Sequence, residues 1–522
     1  MRYEKDVSIK LLFQSLIVGV LVGCIVGFFR FGIEETSSFW LWAFKQAHQH
    51  LWILGLIIVG YAAIGLLAGY FVKQYPHVGG SGIPEVKLQL QGKLNLKWWP
   101  ILWRKLISGI LVIGTGLFLG PEGPSLQLGS TVGQGVGEKS KQSRTNRRVL
   151  LATGAASGLA AAFGAPLSGA LFVLEEVFHN FSARVWMNAL IGALASDYVI
   201  TNIFGQKPAL MIAYKNYFPT QLYWHLVILG LLLGFCGHYY KVGLFKMKAA
   251  YMKLKIIPRW LHGLIPLAIL VPIMWYVPIV TGPGNRMILS LPKLIKHDGW
   301  ALVGMLAAFF VLRLVFSIVS YDSGLPSGIF LPILTMGALF GATYGLLMAQ
   351  LGLMPRYLVV NLIIYSMAGF FAATIRAPFT AIILITEMVG SLLHLMPLAL
   401  VSFFALLVDV LLGGLPIYDS LAKAMEPSYD QDEVSGQADQ LTVAVFESSA
   451  LVDKTIAEIT WPPHTLVKVI KRRGSDIIPN GETKLEPGDL LVLAIDESQR
   501  GYDYDAIQAL QEGKGLDTVK KL

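Results

Sequence analysis

The stretch from Phe118 to Gly129 reads FLGPEGPSLQLG. It sets a carboxylate, Glu122, between two Gly-Pro breaks inside a long apolar region. Proline fits the first turn of a helix, where its missing N–H is not needed, and a preceding glycine permits a sharp entry. Residues 120–124 are therefore expected to open a helix inside the apolar layer rather than at its surface. The first-turn N–H groups of a helix lack partners and lie at the positive end of its dipole, so they attract anions. Glu122 would supply such a site with a tethered anion. Ionised, it can occupy the site; protonated, or displaced by a competing anion, it can leave.

The rest of the chain fits this setting. Its 522 residues are 54% hydrophobic and 14% charged, against about 25% charged in an ordinary soluble domain. Mean hydropathy is +0.59. These values point to a polytopic membrane protein with a soluble appendage. Apolar runs recur between residues 11 and 414. A helical crossing takes about 20 residues, yet several runs are too short, too long, or broken by Gly and Pro. Tilted, re-entrant and half-length helices are expected rather than a simple bundle. The first run follows the charged segment Met1 to Lys10 and has no small-residue cleavage site, so it is expected to be a retained span.

Cys24 and Cys236 lie in separate apolar runs, so no disulfide framework is expected. Part of the +9 formal charge sits in EKSKQSRTNRR, Glu138 to Arg148, which suits a cytoplasmic loop under the positive-inside rule. No basic, aromatic-bearing soluble domain surrounds it, which argues against nucleic acid as a partner. There is no P-loop, no metal-ligand His/Cys spacing and no nucleophile elbow, so neither enzyme chemistry nor a cofactor nor a metal is expected.

Three further breaks resemble the first. GGSGIPEVK (Gly79 to Lys87) makes a tight turn before Pro84 starts a helix. It offers the Ser81 hydroxyl with the neighbouring N–H groups of Gly82 and Ile83, and no charge. Such donors suit chloride, which needs partial positive charge without a fixed cation that would trap it. PSGIFLP (Pro326 to Pro332) would present the N–H groups of Ile329, Phe330 and Leu331 at another helix entrance, as Gly123 would beside Glu122. GGLPIYDS (Gly413 to Ser420) brings the phenol of Tyr418. Taken singly, each break reads more readily as a kink than as a site, Tyr418 more readily as an interfacial aromatic, and Ser81 also as a helix cap. Their arrangement adds weight. GAPLSGALFVLEE (Gly164 to Glu176) is echoed by RAPFTAIILITEM (Arg376 to Met388), and GPEGP by GIFLP. The offsets are 212 residues from Gly164 to Arg376 and 208 from Gly120 to Gly328. Paired halves with interrupted helices point to a transporter binding site.

In order and content, GSGIP, GPEGP, GIFLP, the block GAASGLAAAFGAPLSGALFVLEE (Gly154 to Glu176) and Tyr418 resemble the CLC family of chloride channels and chloride/proton exchangers over residues 10 to 425. The resemblance implies a homodimer in membrane lipid, with an inverted repeat and a separate anion path in each subunit. It implies that Ser81 and Tyr418 ligate the central chloride, with Ile329 and Phe330 as backbone donors. It makes Glu122 the external gating glutamate and Glu176 the internal proton-transfer glutamate. Glu175 becomes the structural neighbour, matched by Glu387 in the repeat, and is expected to be a solvated helix-end acid. One departure is Pro121, where the family usually has Arg or Lys; a cation and a backbone N–H beside Glu122 are lost.

The composition changes after residue 425. Residues 426–437 form an acidic linker, and from Ala438 to Leu522 the chain is polar with short alternating runs. LTVAVF, LVKVIKR and DLLVLAID read as strands, VDKTIAEI as a short helix and PNGE (Pro479 to Glu482) as a hairpin turn. Leu451 to Asp496 resembles the TrkA-C domain, which implies a cytoplasmic, dimerising module able to sense a small ligand. KVIKRRG (Lys468 to Gly474) is read as a solvated strand end, with an anion site as the alternative.

The fold expected is an all-α polytopic membrane domain (1–425) with re-entrant half-helices, a linker (426–437) and a small α+β cytoplasmic domain (438–522). The expected function is chloride/proton antiport across the cell membrane of a prokaryote, with both termini cytoplasmic. A passive chloride channel, a cation-linked symporter and a regulator of a partner protein are the alternatives.

Overall fold

Two of the apolar runs are too long for one crossing, and each breaks at its Ala-Pro pair. The first becomes a helix Arg144–Phe163, a short helix Pro166–Phe172 and a π-helical turn Val173–Val177. The second becomes helices Val359–Ile375 and Pro378–Val389. In each case proline takes the first helical position, where its missing N–H leaves no bond unmade. The computed structural model describes residues 8–179, 181–206, 208–212, 217–297, 299–425, 438–463, 465–472 and 475–515. They fall into two compact units. One takes the described residues up to 86, 97–141 and 149–421; the other takes 87–96, 142–148 and those from 422 onward.

The first unit is helical. Among the described residues, nine helices are long and apolar enough to cross a membrane. The apolar stretches of Phe330–Gln350 and Arg356–Ile375 are 83% and 94% buried, while those of Trp52–Gln74 and Trp300–Tyr321 are only 28% buried. The second pair therefore forms the outer wall. Large apolar side chains there, such as Trp52, Val59 and Val311, are exposed, as lipid contact allows.

The inner helices approach backbone to backbone. A Cβ on Gly129 of the helix Glu122–Lys139 would overlap the carbonyl oxygen of Gly154 on the helix Arg144–Phe163; Gly133 meets Leu150 and Gly158 meets Ser125 in the same way. The second half repeats the device. Gly337 and Gly341 on Phe330–Gln350 meet the Ser366 and Leu362 carbonyls on Val359–Ile375. Small residues at helix contacts are how membrane helices gain packing without a hydrophobic drive.

The halves also cap one another. Glu175 accepts from the N–H groups of Phe379 (3.2 Å) and Thr380 (2.8 Å) and from the Thr380 hydroxyl (2.6 Å). Glu387 accepts from Leu167 N–H (3.0 Å), Ser168 N–H (2.8 Å) and the Ser168 hydroxyl. Each acid closes the N-terminus of the other half's short helix. The expectation of a solvated Glu175 is thus corrected: unpaired N–H groups of a re-entrant helix draw it in.

In the second unit, strands β1 (Ala438–Ala444), β2 (Leu466–Arg472), β3 (Ser475–Ile477) and β4 (Leu490–Asp496) form an antiparallel sheet in the order β1-β4-β2-β3. Leu441 faces Leu493 and Ile470 faces Leu491 across it. With Ile495, and Ile507 of the helix Arg500–Gln511, they make a small apolar core.

Two local expectations change. The segment read as a short helix is a 3-10 turn, Ile456–Glu458, closed by a capping box from Thr455. Pro479–Glu482 is not a hairpin between neighbouring strands, because β3 pairs with β2 and β4 lies on the far side of β2. Its turn packs instead on the 3-10 segment, where Ala457 N–H donates to the Gly481 carbonyl at 2.9 Å. In KVIKRRG, Lys468 and Lys471 are exposed. Arg472 is held by Asp489 (2.8 Å) and Glu486 (2.6 Å), so its charge is already matched. Arg473, Gly474 and the linker 426–437 lie outside the described residues.

Candidate functional site

Three of the sequence breaks are pinned to one another by backbone bonds. Gly120 N–H donates to the Gly328 carbonyl at 2.7 Å, and Gly328 N–H returns a bond to Gly120 at 2.8 Å. Gly80 N–H donates to Leu325 at 3.2 Å, and Ser327 N–H donates to Gly80 at 3.0 Å. The entrances of the helices Ile83–Gln91, Glu122–Lys139 and Phe330–Gln350 therefore converge. Gly82 has φ +81°, a conformation that favours glycine. Gly123 must also be small, since a Cβ there would lie 2.8 Å from the Ser81 Cβ.

Glu122 is 1% exposed and begins its helix, as the Gly/Pro pattern predicts. The backbone N–H groups of Leu331, at the start of Phe330–Gln350, and of Glu122 itself act on its carboxyl electrostatically. It thus sits on the positive end of a helix from the other half of the molecule. Its Oε2 has no hydrogen-bond partner among the described residues.

Ser81 is buried. Its hydroxyl oxygen accepts from Ile83 N–H at 3.3 Å and from the Tyr321 hydroxyl at 3.4 Å. Tyr418, on the short helix Ile417–Lys423, is fully buried, and its hydroxyl has no partner among the described residues. Its ring packs edge-on against Phe172 at 6.2 Å, and Phe172 packs against Phe330 at 4.9 Å. Ile329 and Phe330 are buried beside it in the same cluster of elements. Glu176 is 3% exposed, on the π-helical turn after Pro166–Phe172. The charges of Glu122 and Glu176 both reach Tyr418. The expected residues therefore come together, with two buried acids in electrostatic range of one phenol.

Several contributors escaped the sequence reading. Lys105, fully buried, donates to the carbonyls of Val78 (2.9 Å), Gly79 (3.3 Å) and Gly80 (2.7 Å). It fixes the turn that presents Ser81 and places a cation behind it. The buried Glu85 lies within its field. Arg30 donates to the Ala161 carbonyl at 2.8 Å, and its charge reaches Glu122. Asp409, fully buried, holds Lys241 (2.6 Å), Arg376 (2.8 Å) and His238 (3.1 Å). Lys241 also donates to the Leu415 carbonyl at 3.1 Å, anchoring the loop that leads to Tyr418. The sequence signal for Lys105, Arg30 and Lys241 was only a cation inside an apolar run, beside Arg104 in the case of Lys105.

Paired half-helices meeting at a buried acid, in a chain with nine candidate spanning helices among the described residues, mark a multi-pass membrane protein. Comparisons with known proteins agree. The sequence pattern described as voltage gated chloride channel matches residues 64–409, and that of the TrkA-C domain matches residues 441–500. The chain is 32% identical over 434 residues to the H(+)/Cl(-) exchange transporter ClcA of Vibrio campbellii, covering 80% of this chain and 90% of that one. It is 31% identical over 428 residues to the transporter of the same name from Salmonella typhimurium, covering 79% and 88%. Among solved structures, a slow cyanobacterial Cl-/H+ antiporter superposes with a TM-score of 0.75 at 27% identity, covering 80% of this chain and 98% of that one. A eukaryotic CLC transporter shares the fold, with a TM-score of 0.67 at 22% identity over 79% of this chain and 74% of that one. The chain belongs to the voltage gated chloride channel family, and it carries a TrkA-C domain.

Proposed function

We propose that this protein exchanges chloride for protons across a prokaryotic cell membrane. The observation that carries the reading is the buried Glu122 carboxyl, its Oε2 without a hydrogen-bond partner among the described residues, at the point where backbone bonds bring the helix entrances of Ile83–Gln91, Glu122–Lys139 and Phe330–Gln350 together. A halide and the carboxylate would compete for that seat. Protonated from outside, Glu122 leaves and chloride enters past the N–H groups of Gly123, Ile329, Phe330 and Leu331. Deprotonated, it returns and expels the halide, while its proton passes inward toward Glu176. Competition for one seat couples the two fluxes. Ser81, with Gly82 and Ile83, and Tyr418 hold the central chloride by neutral donors, which bind without trapping. The relatives named as H(+)/Cl(-) exchangers support the same reading.

The proposal extends to a homodimer with a separate pathway in each subunit, both termini in the cytoplasm, and no catalytic chemistry. Residues 1–425 make the transport domain, 426–437 a linker, and 438–522 a cytoplasmic regulatory domain that takes a small ligand.

The test uses purified protein in liposomes. A chloride gradient should drive measurable proton uptake. Glu122→Gln and Glu176→Gln should each abolish proton movement while chloride flux continues. Chloride flux with a reversal potential indifferent to a pH gradient would replace the exchanger with a channel.

A further inference from the structure

The second unit closes through the helix Arg500–Gln511 and the residues just before it. On β1, the buried Asp439 accepts from Arg148 (2.6 Å), Arg500 (2.7 Å) and the Thr145 hydroxyl (3.1 Å). Glu497 accepts from the Thr145 N–H at 2.7 Å, in the first turn of the helix Arg144–Phe163. Asp505 pairs with Lys93 at 2.5 Å, and the same ammonium lies 4.9 Å from the Tyr504 ring. Gly501 is pressed on the chain: a Cβ there would lie 2.7 Å from the Gly92 carbonyl oxygen. The start of this one helix therefore grips residues 92–93 and, through Asp439 and Glu497, residues 145–148.

Into that same first turn the chain places Asp503. It is fully buried, and neither carboxylate oxygen has a partner among the described residues. An ionised carboxylate so placed costs far more than a protonated one. The charged groups around it offer no relief. Arg500 and Arg148 are engaged by Asp439, and Lys93 by Asp505. Glu497 is turned to Thr145, and Asp496 at the end of β4 repels a second negative charge.

We propose that Asp503 is a pH sensor: protonated, it seats the helix and closes the grip on residues 92–93 and 145–148; ionised, it unseats the helix and releases them. Both gripped segments belong to, or directly follow, helices that reach the anion seat. Ile83–Gln91 starts two residues after Ser81 and ends just before Gly92. Arg144–Phe163 packs on the helix that Glu122 begins.

Burial, with Asp496 second, pushes the Asp503 carboxyl up to about 7, from an ordinary 3.8. The sign follows. A raised acid favours the seated state fully below about pH 4, and that advantage is lost as pH rises toward about 7. Between pH 6 and 8 the ratio of released to seated helix should rise about tenfold.

Hydrogen exchange on the full-length protein in detergent, corrected for intrinsic rates, measures this ratio. In the wild type, protection of residues 87–96 and 500–511 should fall about tenfold from pH 6 to pH 8. Asp503→Asn should hold both segments at the pH 6 level throughout. Lys93→Met should lower protection of 87–96 at both pH values. Equal protection at pH 6 and 8 in the wild type would overturn the proposal. So would an undiminished pH response in Asp503→Asn.

Discussion

Lys105 shows how much of the proposed anion seat depends on side chains outside it. Its ammonium is satisfied by three carbonyls of one turn, and that turn carries Ser81. The carbonyls are drawn behind the turn, which leaves the donors in front to meet an anion. Lys105→Met removes the charge and leaves three buried acceptors unmatched, along with the nearby Glu85. Stability should drop by about 3 kcal/mol, read as a lower thermal midpoint of the purified protein. Chloride affinity should weaken about tenfold, equivalent to about 1.4 kcal/mol, by titration calorimetry. Affinity unchanged in Lys105→Met would show that the lysine only folds the turn. Sequence reading found the residues that display donors, because Gly, Pro, Ser and Glu in an apolar run are conspicuous. It missed Lys105, Arg30 and Asp409, whose partners lie on other elements and leave no local pattern.

At the scale of elements, the short helices after the Ala-Pro breaks depend on each other. Pro166–Phe172 and Pro378–Val389 each begin with first-turn N–H groups that need acceptors from outside their own helix. Glu387 and Glu175 supply the acceptors reciprocally. Glu387→Gln keeps an acceptor and loses the charge at a helix N-terminus, so it should cost about 1 kcal/mol. Glu175→Gln should cost a similar amount, because the geometry is repeated. Equal thermal midpoints for wild type and both variants would remove the capping role. The repeat itself was legible, since Ala165-Pro166 and Ala377-Pro378 mark it. The role of Glu175 was not, because an acid at a helix end looks solvated until the partner helix is in place. In the second unit the alternating runs marked the neighbourhoods of β1, β2 and β4 and missed the three-residue strand β3. They could not give the order β1-β4-β2-β3, which turned the Pro479–Glu482 hairpin into a loop turn.

For the whole molecule, the fold reduces to bringing three helix entrances from distant parts of the chain onto one point. The glycine contacts between Glu122–Lys139 and Arg144–Phe163, and between Phe330–Gln350 and Val359–Ile375, hold that convergence rigid. A tethered carboxylate on such a point has one rival, a free anion of similar charge. Bromide is the direct probe, because its anomalous scattering locates it in a crystal. In Glu122→Gln crystals grown in bromide, one halide should lie beside Ser81 and Tyr418. A second should lie within hydrogen-bond reach of the Leu331 N–H, where the proposed mechanism puts the Glu122 carboxylate. A variant crystal with no halide at the Leu331 N–H, or a wild type with Glu122 turned away from it while halide fills the seat at every pH, would contradict the shared seat.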